Sequence, residues 1–550
     1  MLTILKRSQI IITILATTYA FNVAAEQSHC DQTKNITFIN YDIFDLTDQD
    51  TIFLHNWANF FHIKTKEKTL LNEAAFFLEK CAVDNLDLQE LERHLRNKKY
   101  LRNASVKFSG IQTDENTDNS SNKTSNKVVV ETWDNWSLMP TLDFGRKGGQ
   151  NKFAFGIKDR NLLGLGIDAE IEYFSNDQRT GYKFDTQFPL FLQNNINASI
   201  RLTSNDDGTS EAIYFAKEFV SFDTKNAFNI GFDNFNQIDT QYENGAESKK
   251  YSHRRYFTTA SWQWLNQDSV KDTLRFGVGY TTEEHEFFQI NTPTFISSLN
   301  TPTLPINRKF NYPFITVDYL QKDYKKLTNV NLINHIEDFN LGWHAKAKLG
   351  SDFSNNLGSP RLIWQSSLSK GSALDDTAFW FFDATFAGEI YQQKEQKDRL
   401  ILKLNAEYFH KFNKSWGGYF KNSNQFSQNQ FLDSPLVLGG ETGIRGYPLQ
   451  YQHGKHSTQF TFEARYYPHI NIYKLLELAA AAFIDTGRVF GQAKPLQNQS
   501  SWMTSVGLGA RLYSTHSSEA RVIHLDIIKP VTADPNVNSI EFRVTTKQSF

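Results

Sequence analysis

The chain has 550 residues, with 58 Lys+Arg against 60 Asp+Glu for a formal net charge of −2, and a mean hydropathy of −0.49. That balance gives no basic excess of the kind a nucleic-acid partner requires. Aromatics make up 14% of the residues, with 46 Phe, 22 Tyr and 10 Trp. Such a ring content on so polar an average is unusual for a cytosolic enzyme. It suits a transmembrane β-barrel, whose strands alternate polar and apolar residues and whose rings collect at the two interfaces.

In chain order, the first 25 residues read as an export signal. Lys6 and Arg7 are followed by a mostly apolar stretch, Ile10 to Ala20, and by the small residues Val23-Ala24-Ala25. The apolar stretch falls short of the roughly 20 residues that span a bilayer, which argues against an uncleaved anchor. Beyond it the longest apolar run is Leu478 to Ile484, bounded by Glu477 and Asp485. No transmembrane helix is therefore expected in the mature chain, leaving a soluble exported protein or a barrel.

Residues 26–135 mix strand and helix signals. "ITFINYDIF" (36–44) predicts a strand, and helical spacing runs over 48–61, 72–81 and 87–100, with Leu88, Leu91 and Leu95 on one face and Asp87 placed to cap. "ASVKFSG" and "KVVVETW" predict two strands, separated by the polar loop 113–126. Cys30 and Cys81, the two cysteines, both lie here. Export into an oxidising compartment allows a disulfide between them, with two free thiols as the alternative.

From about 136 to 550 the pattern becomes period two. Phe153, Phe155 and Ile157 share a face, as do Ile167, Ala169, Ile171 and Tyr173. So do Phe339, Leu341, Trp343, Ala345, Ala347 and Leu349, and Leu400 through Tyr408 at every second residue. Such alternation means strands with one apolar face. Many segments approach ten residues, nearer to membrane strands of about 9–11 than to soluble ones of about 5–6. Counting them gives 18 to 20 candidates, some of which could be loop hairpins within 283–312. The last segment, "SIEFRVTTKQSF", keeps Ile540, Phe542, Val544 and Phe550 on one parity and ends on an aromatic. A closing barrel strand that assembly machinery must recognise would have this form.

Several of these segments resemble one family, the BamA/TamA superfamily of outer-membrane assembly and secretion barrels, also called bacterial surface antigens. "GGETGIRGYP" (439–448) resembles its extracellular-loop signature, an Arg-Gly-aromatic tripeptide in a glycine-rich loop. "FTFEARYYP" (460–468), "AFIDTGRVF" (482–490), "IHLDIIKPV" (523–531) and the terminal strand resemble the strands that follow it. "IKDRNLLGLGIDAEIEYF" (157–174) resembles the second and third barrel strands and their turn. Residues 36–135 resemble one POTRA module in pattern only, and about 250 to 400 carries no motif. The resemblance implies a mainly β protein: a C-terminal antiparallel outer-membrane barrel of 16 strands (residues 136–550) behind one small α+β periplasmic POTRA-like domain (26–135). It implies insertion or translocation of polypeptides at the outer membrane of a Gram-negative bacterium. The implied partners are outer-membrane lipids and unfolded or extended client polypeptides, with periplasmic or lipoprotein partners as a further class. No cofactor, metal or nucleic acid is implied, and no catalytic residue.

Parity alone sets two carboxylates inside such a barrel. With Phe460, Phe462, Ala464 and Tyr466 facing lipid, Glu463 faces the lumen, and with Leu478, Ala480, Ala482 and Ile484 outward, Asp485 does too. A desolvated carboxylate needs a partner, and an arginine can fork onto it. The resemblance implies that the loop folds inward, with Gly443 and Gly446 shaping its tip, so that Arg445, Gly446 and Tyr447 latch against Glu463 and Asp485. The alternative is a surface loop with a solvated arginine. The first strand (about 138–145) and the last (about 540–550) would form a weak seam open to β-augmentation.

Other functions remain as alternatives. A two-partner secretion transporter usually has two POTRA modules and a plug helix, where one module and no clear plug are found. A passive porin would not need the Arg-Gly-Tyr loop. An exported enzyme lacks support: there is no Gly-x-Ser-x-Gly elbow, and His453 and His456 read as loop-surface histidines without an acidic ligand pattern.

Overall fold

In the computed structural model the described residues are 36–48, 51–80, 83–109, 127–147, 150–191, 195–243, 245–290, 304–354, 361–392, 396–491, 501–519, 521–531, 534 and 536–550. The export signal, Cys30, Cys81 and the loop 113–126 lie outside them.

The N-terminal region is β1 (Ile36–Tyr41), α1 (Phe53–Phe61), α2 (Glu67–Glu73), α3 (Ala75–Leu78), α4 (Asn85–Arg96), β2 (Leu101–Ser109) and β3 (Lys127–Asp134). The sheet order is β1-β3-β2, with β1 parallel and β2 antiparallel to β3. Leu88, Leu91 and Leu95 of α4 are buried against Leu70, Phe77 and Val130, as the spacing predicts. The helix starts earlier than its apolar stripe suggests. Asp84 is the N-cap, accepting from the Asp87 amide at 2.9 Å, while the Asp87 carboxylate accepts from the Asp84 amide at 2.9 Å. Asp87 completes the box instead of capping. β1 stops at Tyr41, because Ile43 and Phe44 turn in to pack on Ala58 of α1.

Antiparallel strands then close into a barrel. Among the described residues it has 20 strands of seven residues or more, from β4 (Leu138–Lys147) to Glu541–Lys547, plus a two-residue segment, Asn471–Ile472. This is the upper end of the count from alternation, not the 16 that the resemblance implies. Parity governs every wall: Leu142, Phe144, Ile157, Ile171, Ile527 and Phe542 are exposed outward, while Asp526, Arg543 and Thr545 are buried inward. An outward face of large apolar side chains on a closed barrel is the surface of a membrane protein.

Two regions depart from the simple pattern. The stretch 339–349 is not one strand. Gly342 breaks it, with its amide bonded to Asn340 Oδ1 at 3.0 Å, and only Trp343–Asp352 joins the barrel. Phe339 belongs instead to a hairpin, Tyr324–Thr328 with Ile336–Asn340, and packs against Phe381, while Leu341, just past it, is buried and donates its amide to the Asp323 carbonyl at 2.7 Å. Within 283–312, the ends 283–289 and 308–312 continue tall barrel strands, Asp272–Gln289 and Arg308–Gln321, and 291–303 lies outside the described residues.

Candidate functional site: a loop held inside the barrel

The segment 436–454 leaves the wall between the strands Trp416–Gln428 and His456–Tyr466 and folds into the lumen. Its base is a small ladder, Leu436–Leu438 with Gln452–Gly454. Its tip carries Ile444, Arg445 and Tyr447, all buried. Gly446 at φ +89° makes the tip: a Cβ there would lie 2.9 Å from Ile528 Cγ2 and Pro530 Cγ, so only glycine lets the backbone come this close to the wall.

Arg445 Nε donates to Asp485 Oδ2 at 2.5 Å and Nη2 to Asp485 Oδ1 at 2.8 Å. Nη2 also lies 3.2 Å from Glu463 Oε1. The guanidinium stacks 3.3 Å from the centroid of the Phe483 ring. Asp485 accepts a third bond, from Thr461 Oγ1 at 2.9 Å. The Tyr447 hydroxyl donates to the Thr504 carbonyl at 3.0 Å and accepts from the Thr504 amide at 2.9 Å. Glu463 and Asp485 sit on neighbouring strands, paired as Glu463↔Phe483 and Thr461↔Asp485, which is why one planar fork reaches both.

Alternation gave Glu463 its inward side but left its second partner unnamed. Arg465 shares that parity, and its Nε donates to Glu463 Oε2 at 3.1 Å. Its Nη1 donates to the Val330 carbonyl at 2.9 Å, and its guanidinium stacks on Tyr419 and Phe550 at 4.1 and 4.4 Å. Reading "FEARYY" two residues further along the same face would have found it. Arg543, inward on the last strand, donates to the Gly440 carbonyl at 3.1 Å and so ties that strand to the loop. Phe542 and Val544 point outward on this strand. The strand ends at Lys547, so parity does not carry to Phe550, which turns into the lumen, packs on Tyr467 and donates its amide to the Asn331 carbonyl at 2.7 Å.

Both mouths carry further structure. At the loop end, the tip of the hairpin between Asn226–Glu243 and Ala246–Asp268 arches over the loop: the Gly245 amide donates to the Leu449 carbonyl at 2.9 Å. His453 belongs to this contact and is half-buried, with Nε2 2.9 Å from the Tyr242 carbonyl. At the other end, residues 329–335 of the Tyr324–Asn340 hairpin enter the lumen, with Leu332 and Ile333 buried against Tyr467, Tyr513 and Phe550. The N-terminal region lies beneath. Arg96 forks onto Asp338 at 2.8 to 3.0 Å, Lys326 Nζ reaches Glu92 at 2.7 Å, and the Phe222 amide donates to Glu90 at 2.7 Å.

The junction itself is a polar knot. Buried Asp134, the last residue of β3, accepts from the Thr65 amide and hydroxyl and from His62 Nε2, each at 2.8 Å. Asn161 Nδ2 donates to Thr65 Oγ1 at 2.8 Å, and the Gly164 carbonyl accepts from the Lys66 amide at 2.9 Å and from Thr69 Oγ1 at 2.8 Å. The "NLLGLG" turn of the barrel is thus the seat of the N-terminal region.

The fold and its loop define a membrane-spanning β-barrel with a small α+β region docked on one mouth. No family model matches this sequence, and no curated protein matches it. Among solved structures the chain is similar to BamA from Haemophilus ducreyi lacking POTRA domains 1–3, at 12% identity and TM-score 0.37, covering 94% of this chain and 84% of that one. It is also similar to CdiB from Escherichia coli, at 10% identity and TM-score 0.46, covering 93% and 76%. CdiB from Acinetobacter baumannii aligns at 9% identity and TM-score 0.44, covering 88% and 72%.

Proposed function

We propose that this chain is an outer-membrane barrel of the BamA/TamA type, that residues 26–135 are its periplasmic POTRA-like domain, and that it inserts other β-barrels into the membrane. The observation that carries this reading is the lumenal loop. Arg445 is forked onto Asp485 at 2.5 and 2.8 Å, within the loop that resembles the family's Arg-Gly-aromatic signature. A passive porin would not need the Arg-Gly-Tyr loop.

Insertion needs an edge. The last strand, Glu541–Lys547, is seven residues long and the shortest of the 20, while β4 beside it has ten. A short strand contributes few ladder bonds, so the seam is the least costly place to admit a client strand. The chemistry is non-covalent, and client folding supplies the driving force. Depletion of the protein followed by outer-membrane proteomics tests the reading. Loss of many barrel proteins is expected; loss of one secreted protein with the barrels unchanged would make it a dedicated secretion transporter instead.

A further inference from the structure

Helix α1, Phe53–Phe61, has the sequence FLHNWANFF and carries no charged residue. His55 and Ala58 bury one face. Phe53, Leu54, Trp57, Phe60 and Phe61 are exposed on the other, Phe53 at 77% and Phe60 at 80%. The spacing 53, 57, 60 and 61 is that of one helical stripe. A contiguous exposed patch of this size marks an interaction surface.

Its position says what covers it. His55 Nε2 lies 2.7 Å from the Tyr473 carbonyl, in the turn that joins two barrel strands. Phe44, under the helix, stacks on His516 of the next such turn at 4.5 Å. Trp57 meets Trp136 edge-on at 5.7 Å, two residues before the barrel begins. The helix therefore lies at the level of the barrel rim. Exposed Ile470, Ile472 and Tyr473 continue its apolar face along the turn. Beyond them come the outward-facing Tyr466 and Trp416, 4.7 Å apart, which belong to the lipid-facing wall. Just after the helix, Lys64, Lys66 and Lys68 are exposed, and Lys68 Nζ sits 4.1 Å over Phe191 in another rim turn.

We propose that α1 is an interfacial helix whose Phe53–Leu54–Trp57–Phe60–Phe61 face enters the phospholipid leaflet on the side of the N-terminal region. Lys64, Lys66 and Lys68 then lie at the level of the phosphates. An apolar helix face with basic flanks is what such a boundary selects. The inference rests on the reading of the barrel as membrane-embedded, because the leaflet already surrounds the rim. The helix then fixes the tilt of the N-terminal region beneath the barrel.

The test uses the full chain in nanodiscs of phosphatidylethanolamine and phosphatidylglycerol, with Cys30→Ser and Cys81→Ser and one spin label at a time. Labels at Phe60→Cys, Glu67→Cys and Leu142→Cys are compared by power saturation with oxygen and a water-soluble nickel chelate. The Phe60 label is expected to favour oxygen, as the outward barrel label at Leu142 does, while the Glu67 label favours nickel. A Phe60 label as nickel-accessible as Glu67, with Leu142 still in lipid, overturns the helix proposal alone; a nickel-accessible Leu142 overturns the barrel reading. An oxygen preference at Phe60 found in nanodiscs that hold two copies but lost in nanodiscs that hold one means burial against a second copy, and also overturns it. A second variant with native cysteines, Phe53→Asp/Phe60→Asp, should become several-fold more sensitive than wild type to trypsin at Lys64–Lys68 in nanodiscs. Sensitivity equal to that of wild type in nanodiscs would contradict the proposal.

Discussion

Arg445 and Asp485, 40 residues apart in sequence, meet through two parallel hydrogen bonds of 2.5 and 2.8 Å inside the barrel. Arg445→Ala would leave Asp485 and Glu463 facing each other without their shared cation. Breaking a buried pair costs on the order of 3–5 kcal/mol. The barrel should still form, because closure rests on its strand ladder, and the variant should remain heat-modifiable on a gel. Function should fail, read as loss of other barrels from the membrane. Arg445→Lys should rescue poorly, since lysine can neither fork onto a carboxylate nor stack flat on Phe483. Full activity of the lysine variant would sink this account.

Arg465 holds the hairpin tip from the opposite side through the Val330 carbonyl. Arg465→Ala should loosen residues 329–335 and open the lumen at the domain end. The expected readout in planar bilayers is a higher and noisier single-channel conductance than wild type. Conductance unchanged from wild type would mean that the hairpin is seated without it.

Gly164 is the tightest point of the junction. Its φ is +72°, and a Cβ there would stand 2.4 Å from the Lys64 carbonyl oxygen. The left-handed conformation alone costs a non-glycine residue about 1 kcal/mol or more, and the contact adds to it. Gly164→Val should therefore unseat the N-terminal region while leaving the barrel folded. Limited proteolysis should cut between 62 and 70 in the variant at protease levels that spare wild type. Identical digestion patterns would show that the seat is not at this turn.

The N-terminal region carries its own pH dependence. Burial pushes the Glu73 carboxyl up, but Lys98 and His94 outweigh it and hold the group at about 2, against an ordinary 4.5. A carboxylate depressed in the folded state stabilises fully above its unfolded value and loses that contribution as pH falls toward the folded one. The loss should run from about pH 4.5 down to about pH 2 and amount to roughly 3 kcal/mol for this group. Hydrogen exchange of peptides from α4 should accelerate over that interval. In Lys98→Met the folded value rises, so the onset should stay near pH 4.5 while the acceleration becomes smaller and ends at a higher pH; an unchanged lower end would remove Glu73 as the cause.

Much of this was legible in the sequence because β-structure writes itself at period two. Parity alone put Glu463 and Asp485 on the inner face, and strand length told a membrane wall from a sandwich. Parity fails where the backbone breaks, as at Gly342, where Phe339 and Leu341 leave the outward face, and past Lys547, where Phe550 turns inward. Long-range pairings are the other blind spot. Nothing local says that Arg465 meets Val330, 135 residues away, or that Arg96 meets Asp338, 242 away. Those contacts follow from how the chain closes on itself, which no window of sequence contains.

The Arg445 loop lies inside the barrel and is held there by Asp485. Ile444, beside Arg445, is fully buried and accepts a smaller side chain. In a background with Cys30→Ser and Cys81→Ser, Ile444→Cys should resist a bulky impermeant maleimide on intact cells. It should become reactive when Arg445→Ala is added. Ready labelling of Ile444→Cys with Arg445 intact would mean that the loop lies outside, and the latch with it would be gone.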